Sequence, residues 1–388
     1  MRVALDNLKI FFWANDSLAQ LPSFQAGMKW YHRLLVGVIL AFFCGAVTPT
    51  NSIELKNHEL QMKSTAANYL AARQALYFKD FKASADFYLT ALNLDRNNTD
   101  LLKQAFYTQY QLGNIDAAAT LSREMELQNI TGRFASEPAT AQAILMEDWD
   151  AVLVLSDLIA EDINAQPLAA IIKAWALVAK GRGPAGLSYL IQSSNANISG
   201  NKSAPAVFTM QAARMANYLG DSGEMLKLAD QLFERNDLSS QLIIQLASLY
   251  ARHKKNSKFE QLVEQLPDGF DKSTILRVLS RQTNSQTIFH HIAAGIIDTS
   301  LIASHSRHDN MLKARLGLAL YLNPKSDRAR FLIAQALNEI NQKQGAREQL
   351  AAIDRTGIWS QPRLLLEVNL DRSDNIENAI SHLQSFLS

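Results

Sequence analysis

TAANYLAARQALYFKDFKASADFYLTALNLDRNN, residues 65–98, is the stretch that decides the fold. It reads as two amphipathic helices joined by a tight turn. Ala71, Ala72 and Ala75 put small residues on one face of a first helix. Asp80 and Phe81 mark the turn. Ser84, Tyr88 and Ala91 stand at i, i+4 and i+7 of a second helix, and Leu92, Leu94 and Asp95 close it. Two antiparallel helices need small residues where their backbones approach and large ones to fill the adjoining groove. Each such pair leaves one apolar face open, which only a neighbouring pair can cover.

The pattern has a period of 34 residues and runs outward from this stretch. Residues 99–132 carry Phe106, a turn at Gly113-Asn114-Ile115, and Ala118. Residues 133–165 turn at Asp148-Trp149. In AAIIKAWALVAKGRGPAGLSYL, Ala174 precedes a turn at Gly181 and Gly186 follows it. Residues 206–238 show Ala213, Gly220-Asp221 and Ala229, and 239–267 carry Ala247 and Tyr250. ALYLNPKSD, residues 319–327, ends another unit. Residues 327–360 follow with Ala334, Ala346 and Leu350, and 361–388 hold Asp374-Asn375-Ile376 and Ala379. Two stretches blur the frame. SSNANISGNKSA, residues 193–204, is a polar loop without helical period, and residues 268–310 have helical patches without the repeat signature. The expected organisation is an N-terminal extension over 1–46, one lobe over 60–192, and a second over 205–388 whose last unit stops inside a helix.

These residues resemble the tetratricopeptide repeat. In that family's frame Ala72, Ser84, Tyr88, Ala91 and Arg96 occupy the small, small, aromatic, small and proline-favouring places; Ser84 and Arg96 depart from the common residues. YLAARQALYFKDF, IIKAWALVAKGR, ARLGLALYLNP and LEVNLDRSDN, in that order, are also similar to exported tetratricopeptide proteins of alphaproteobacteria. The resemblance implies an all-α, right-handed superhelix of antiparallel helix pairs that binds proteins or peptides along its concave face. Its groove-facing places fall on Tyr69, Arg73, Leu76 and Tyr77 in the first unit and on Lys103, Tyr107, Tyr110 and Gln111 in the second. In the late unit they fall on Arg328, Phe331, Gln335, Asn338 and Glu339. Tyrosine and arginine are frequent anchors of interfaces. The other reading of the tyrosines is packing between units. A chaperone-tail clamp would put lysine and asparagine where Tyr69 and Arg73 stand, so that ligand is disfavoured.

Composition narrows the function classes. The chain has 388 residues, is 48% hydrophobic and 19% charged, and carries a formal net charge of +1. No basic field marks it for nucleic acid. Sixteen glycines and nine prolines suit long helices with short turns. The single cysteine, Cys44, excludes an internal disulfide and a cysteine-based zinc site. Residues 34–47, LLVGVILAFFCGAV, form an apolar run preceded by Lys29, His32 and Arg33. That is the layout of a secretory signal, with a cut after Ala46, and Met28 would make a conventional start for it. Left uncut, the same run would be an inner-membrane anchor. Lipidation at Cys44 is a third reading, against which the bulky Phe43 counts.

No catalytic constellation emerges. His290 and His291 are neighbours and point about 100° apart on a helix. His305 and His308 sit at i, i+3 beside Asp309, with no third ligand at a set spacing. The histidines read as solvated polar residues. Gly181-Arg182-Gly183-Pro184 occupies a repeat turn, and Glu147-Asp148 and Glu161-Asp162 lie where carboxylates cap helices. Trp149, Trp175 and Trp359 take packing positions. The sequence therefore points to a non-enzymatic, cofactor-free scaffold of the cell envelope that binds other proteins; the alternative is a non-catalytic subunit of an envelope enzyme or transport complex.

Overall fold

The computed structural model describes residues 64–130, 134–195, 203–281, 286–303, 310–372 and residue 380. The apolar run 34–47, Met28, Cys44, His305, His308, Asp309, Asp374, Asn375, Ile376 and Ala379 lie outside the described residues, as does most of the 193–204 stretch. Among the described residues there are eighteen α-helices and no strand. The all-α solenoid of helix pairs is therefore what the chain forms.

The first half is a regular stack. Its pairs are α1 (Thr65–Tyr77) with α2 (Phe81–Leu94), α3 (Thr99–Leu112) with α4 (Ile115–Leu127), and α5 (Ser136–Leu145) with α6 (Trp149–Ala160). Then come α7 (Gln166–Ala179) with α8 (Gly183–Asn195), α9 (Ala204–Tyr218) with α10 (Ser222–Phe233), and α11 (Ser240–Arg252) with α12 (Asn256–Glu264). Three of the second helices, α2, α6 and α10, start at an aspartate whose side chain satisfies an orphan amide of the first turn. Asp80 accepts from the Ala83 amide at 3.0 Å, Asp148 from Ala151 at 3.1 Å and Asp221 from Glu224 at 2.9 Å.

The turns inside pairs carry the period into the backbone. Lys79, Gly113, Glu147 and Gly181 all have positive φ and stand 34 residues apart. This left-handed residue ends the first helix and reverses the chain. The next one, Gly220, comes 39 residues on, and Lys254 again after 34. The longer step contains the 193–204 stretch. Helices α8 and α9, on either side of it, pack directly on each other. Residues 62–388 form one compact unit, and one buried cluster runs from Ala72 to Leu332.

After α12 the chain leaves the stack. Helix α13 (Lys272–Ser280) is short, and α14 (Ile288–Ala303) and α15 (Asn310–Leu322) turn inward. α14 packs on α7 and α9, while α15 packs on α3, α4 and α5. This is the physical reason for the lost repeat signature over 268–310. α14 buries His291 to Ala293 and Gly295 to Ser300, on every side of the helix. A helix buried all round has no use for the one-sided pattern of a repeat. Its Gly295 leaves no room for a side chain, since a Cβ there would stand 2.5 Å from the Ile171 Cγ2 of α7. On α15, a Cβ at Gly317 would stand 3.0 Å from the Gly113 Cα, at the left-handed end of α3. Glycine at 317 lets the two backbones touch, and glycine at 295 makes room for the Ile171 side chain.

The last helices are α16 (Asp327–Glu339), α17 (Lys343–Ala351) and α18 (Ser360–Arg372). They bring the end of the stack back to its beginning. Gln342 Nε2 donates to the Lys79 carbonyl at 2.5 Å, and Lys79 Nζ donates to the Ile340 carbonyl at 3.4 Å. The Tyr321 hydroxyl donates to Asp116. Phe331, Ala334, Ala346, Leu350, Ile353, Trp359 and Leu370 make a smaller second core.

Gly317→Val should drive a branched side chain into the Gly113 backbone and cost about 1–3 kcal/mol in urea unfolding. Gly223→Ala in α10 places its methyl 3.6 Å from the Asp221 side chain. It should be neutral or stabilise by up to about 1 kcal/mol. Equal stabilities of the two variants would show that the glycine contact does not hold α15 in place.

Candidate functional site

The inward helices reorganise the concave face. In the first unit Tyr69 is half-buried and meets Tyr88 edge-on, while Arg73 and Leu76 are exposed and Tyr77 is 80% exposed against Phe78. In the second unit Lys103 and Tyr107 are half-buried. Gln111 lines a cavity of about 530 Å³ with Lys79, Lys313, Gln342 and Glu348. Tyr110 is fully buried.

Tyr110 belongs to the packing that closes the fold. Its hydroxyl donates to Glu137 Oε2 at 2.5 Å. Arg315 of α15 donates to the same carboxylate through Nε, at 3.0 Å, and Nη2, at 2.6 Å. The pair is almost dry, with side chains 6% and 1% exposed. Burial works against the Arg315 charge, the Glu137 carboxylate outweighs it, and the guanidinium pKa is raised. Burial, then the Glu137 charge, lifts the Tyr110 hydroxyl well above its usual value, so it stays a donor. The four groove places of the second unit thus do not share one open surface.

The late unit differs. Arg328, Phe331 and Gln335 line a cavity of about 690 Å³ between α9, α11, α14, α15, α16 and α18. Asn338 and Glu339 are half-buried and lie outside it. Phe331 packs on Trp359, ring centres 5.2 Å apart, which fixes its position. Leu301 and Ile302 from α14, Leu312 from α15 and Leu365 and Leu366 from α18 complete an apolar wall. Leu365 is 44% exposed, so the cavity opens to solvent on that side.

A buried polar floor runs beneath. Arg328 Nη2 donates to Asp298 Oδ1 at 2.5 Å, and its Nε donates to Gln241 Oε1 at 2.6 Å. Gln211 and Gln245 donate to Asp298 at 2.8 and 3.1 Å. Arg214 donates to Gln245 Oε1 at 2.9 Å and, at 3.2 Å, to His291 Nδ1. His291 departs from the expected solvated histidine. It stacks on Trp175, ring centres 4.7 Å apart, and burial, then Arg214 and Arg252, push its pKa down to about 2. It is a neutral acceptor for Arg214, with its proton on Nε2. Trp175 is fully buried, Trp359 is buried, and Trp149 stacks on Phe289.

The pattern reading named Arg328, Phe331 and Gln335, which line this cavity, and did not name Asp298, Gln241 or Leu365, which line it too. Asp298 had one signal, a lone acid inside the apolar run of α14. No group of three His, Cys, Asp or Glu side chains that could hold a metal occurs among the described residues.

No protein-family model and no curated protein sequence matches the chain. Among solved structures it is similar to a chain of Naa15/Naa10 bound to HypK-THB, with TM-score 0.34 and 13% identity over 83% of this chain and 58% of that one. It is also similar to a chain of the APC/C hetero-tetramer Cut9-Hcn1, with TM-score 0.29 and 12% identity over 81% of this chain and 54% of that one. The chain therefore spans less than two thirds of the length of either.

Glu137→Gln should destabilise the protein by about 3–5 kcal/mol, because it leaves the buried Arg315 charge uncompensated. Replacing both partners, Glu137→Leu with Arg315→Met, should recover much of that loss. Chemical unfolding of the three proteins measures it. A single variant as stable as the parent would show that the pair is not dry in solution.

Proposed function

We propose that this protein is a non-catalytic scaffold of the tetratricopeptide type that holds an apolar segment of another protein in the late-unit cavity. The observation that carries the reading is the meeting of Arg328, Phe331 and Gln335 at one solvent-open cavity of about 690 Å³. Its volume lies inside the range of roughly 300–1,000 Å³ usual for ligand pockets. Its wall is mainly aliphatic and aromatic, and its polar groups sit at the floor and rim. Ser239, Ser240 and Asn369 can bond a peptide backbone, while the leucines of α14, α15 and α18 take alternate side chains. The rim pair Arg235–Asp237, with bonds of 2.8 and 2.7 Å, adds no net charge. The segment it fits is accordingly uncharged.

The reading includes export to the bacterial envelope. Its support is the basic residues Lys29 and Arg33 ahead of the apolar run 34–47. Among the described residues no helix is long and apolar enough to cross a membrane.

One experiment addresses both parts. A photo-crosslinking residue is placed at Leu365, with Tyr77 as an exposed control remote in sequence, in the full chain in cells. The expected result is a discrete crosslinked protein at 365, absent at 77 and recovered by osmotic shock. Equal labelling at both positions, or none at 365, contradicts the binding site. Recovery from the cytosol alone contradicts export.

A further inference from the structure

The cavity of about 530 Å³ beside Gln111 lies where the first turn of the stack meets its end. Lys79, Asp80, Phe81 and Lys82 border it from the first unit, and Gln111 and Leu112 from the end of α3. Helices α15, α16 and α17 close the far side. The Gln342–Lys79 and Lys79–Ile340 hydrogen bonds cross the same seam. A cavity of this size is ample for a small ligand.

Two polar side chains at this cavity have no polar partner among the described residues. Lys313 of α15 is half-buried, and its ammonium makes neither an ion pair nor a hydrogen bond there. Its Nζ stands 4.4 Å from the centre of the Phe81 ring. A ring face attracts a cation but offers no lone pair to its N–H groups. Burial lowers the Lys313 pKa, and no carboxylate among the described residues offsets the fall. Gln111, also half-buried, has a side-chain amide without a hydrogen bond among the described residues. The charge balance sets the kind of ligand. Lys79, Lys82 and Lys313 line the cavity together with two carboxylates, Asp80 and Glu348. Asp80 accepts from the Ala83 amide and Glu348 from Gln344. One positive charge is in excess, which suits a single anionic group, while the two carboxylates repel a polyanion. The rest of the wall is apolar, with Leu320 of α15 and Ile333 and Leu337 of α16 beside Phe81 and Leu112.

We propose that this cavity binds a small monocarboxylate with an apolar body, its carboxylate on Lys313 and Gln111 and its body against Phe81, Ile333 and Leu337. The site is separate from the larger cavity and stands whether or not that one holds a protein segment. A ligand here touches the first unit, α15 and α16 at once. Its binding therefore strengthens the contact that brings the end of the stack back to its beginning.

The test is calorimetric titration and thermal unfolding of the full chain with hexanoate and, separately, benzoate, beside hexanol and benzyl alcohol, at fixed ionic strength. The expected result is saturable binding of at least one acid, about tenfold or more tighter than its alcohol, with a rise in Tm. Lys313→Met keeps an apolar stem and removes the charge. It should weaken the acid about tenfold or more, the size of a lost hydrogen bond to a charged group, and leave the alcohol unchanged. Leu365→Ser, on the wall of the larger cavity, should leave both unchanged. No saturable binding, equal binding of acid and alcohol, or acid binding that Lys313→Met retains in full overturns the proposal. So does binding that Leu365→Ser weakens to the same extent as Lys313→Met. Circular dichroism checks that the variants fold; if Lys313→Met unfolds, Gln111→Leu carries the same expectation and decides the matter.

Discussion

The inward packing of α14 and α15 is the constraint on which the rest of the molecule depends. A stack of helix pairs stabilises itself only through neighbours, and nothing in the repeat limits how far it curls. Here two apolar helices enter the concave side and fasten the early units to the late ones. Gly295 admits the Ile171 side chain, Gly317 lets its backbone meet that of Gly113, and the dry Glu137–Arg315 pair gives the contact a defined register. A buried ion pair adds little net stability over an apolar match, yet breaking it is expensive. Its contribution here is to make other placements of α15 costly.

That closure decides where the protein can bind. The groove places of the first two units are divided between exposed residues, such as Tyr77, and residues enclosed by the chain itself, such as Tyr110. The late unit faces the ends of α14 and α18, and a cavity remains open there. Arg328 lines this cavity, and its bonds to Asp298 and Gln241 hold it in place.

Much of this was legible in the sequence, and the limits have physical causes. The 34-residue period is visible because the turns carry either a left-handed glycine, Gly113 and Gly181, or a capping aspartate, Asp80 and Asp148, and the helix after them needs a small residue at the close approach. Arg328, Phe331 and Gln335 could be named as groove places because their unit keeps its frame, and they line one cavity. The role of α14 was missed although its signal was present: IFHHIAAGIIDTSLIA is apolar on every face, which marks an interior helix. The fate of Tyr110 was not legible locally. Arg315, which completes its network, lies 178 residues from Glu137 in the chain, and no spacing rule connects them.

The measurement that reaches the central claim most directly is an intramolecular crosslink between the first turn and the late one. With Cys44, the single cysteine, replaced by serine, Lys79→Cys and Gln342→Cys place thiols at two residues already in hydrogen-bond contact. A short bis-maleimide should join them within one folded chain, and the product should vanish when the chain is unfolded before the reagent is added. A folded protein in which the two cysteines react singly and never with each other would mean that the solenoid stays open and its concave face is free.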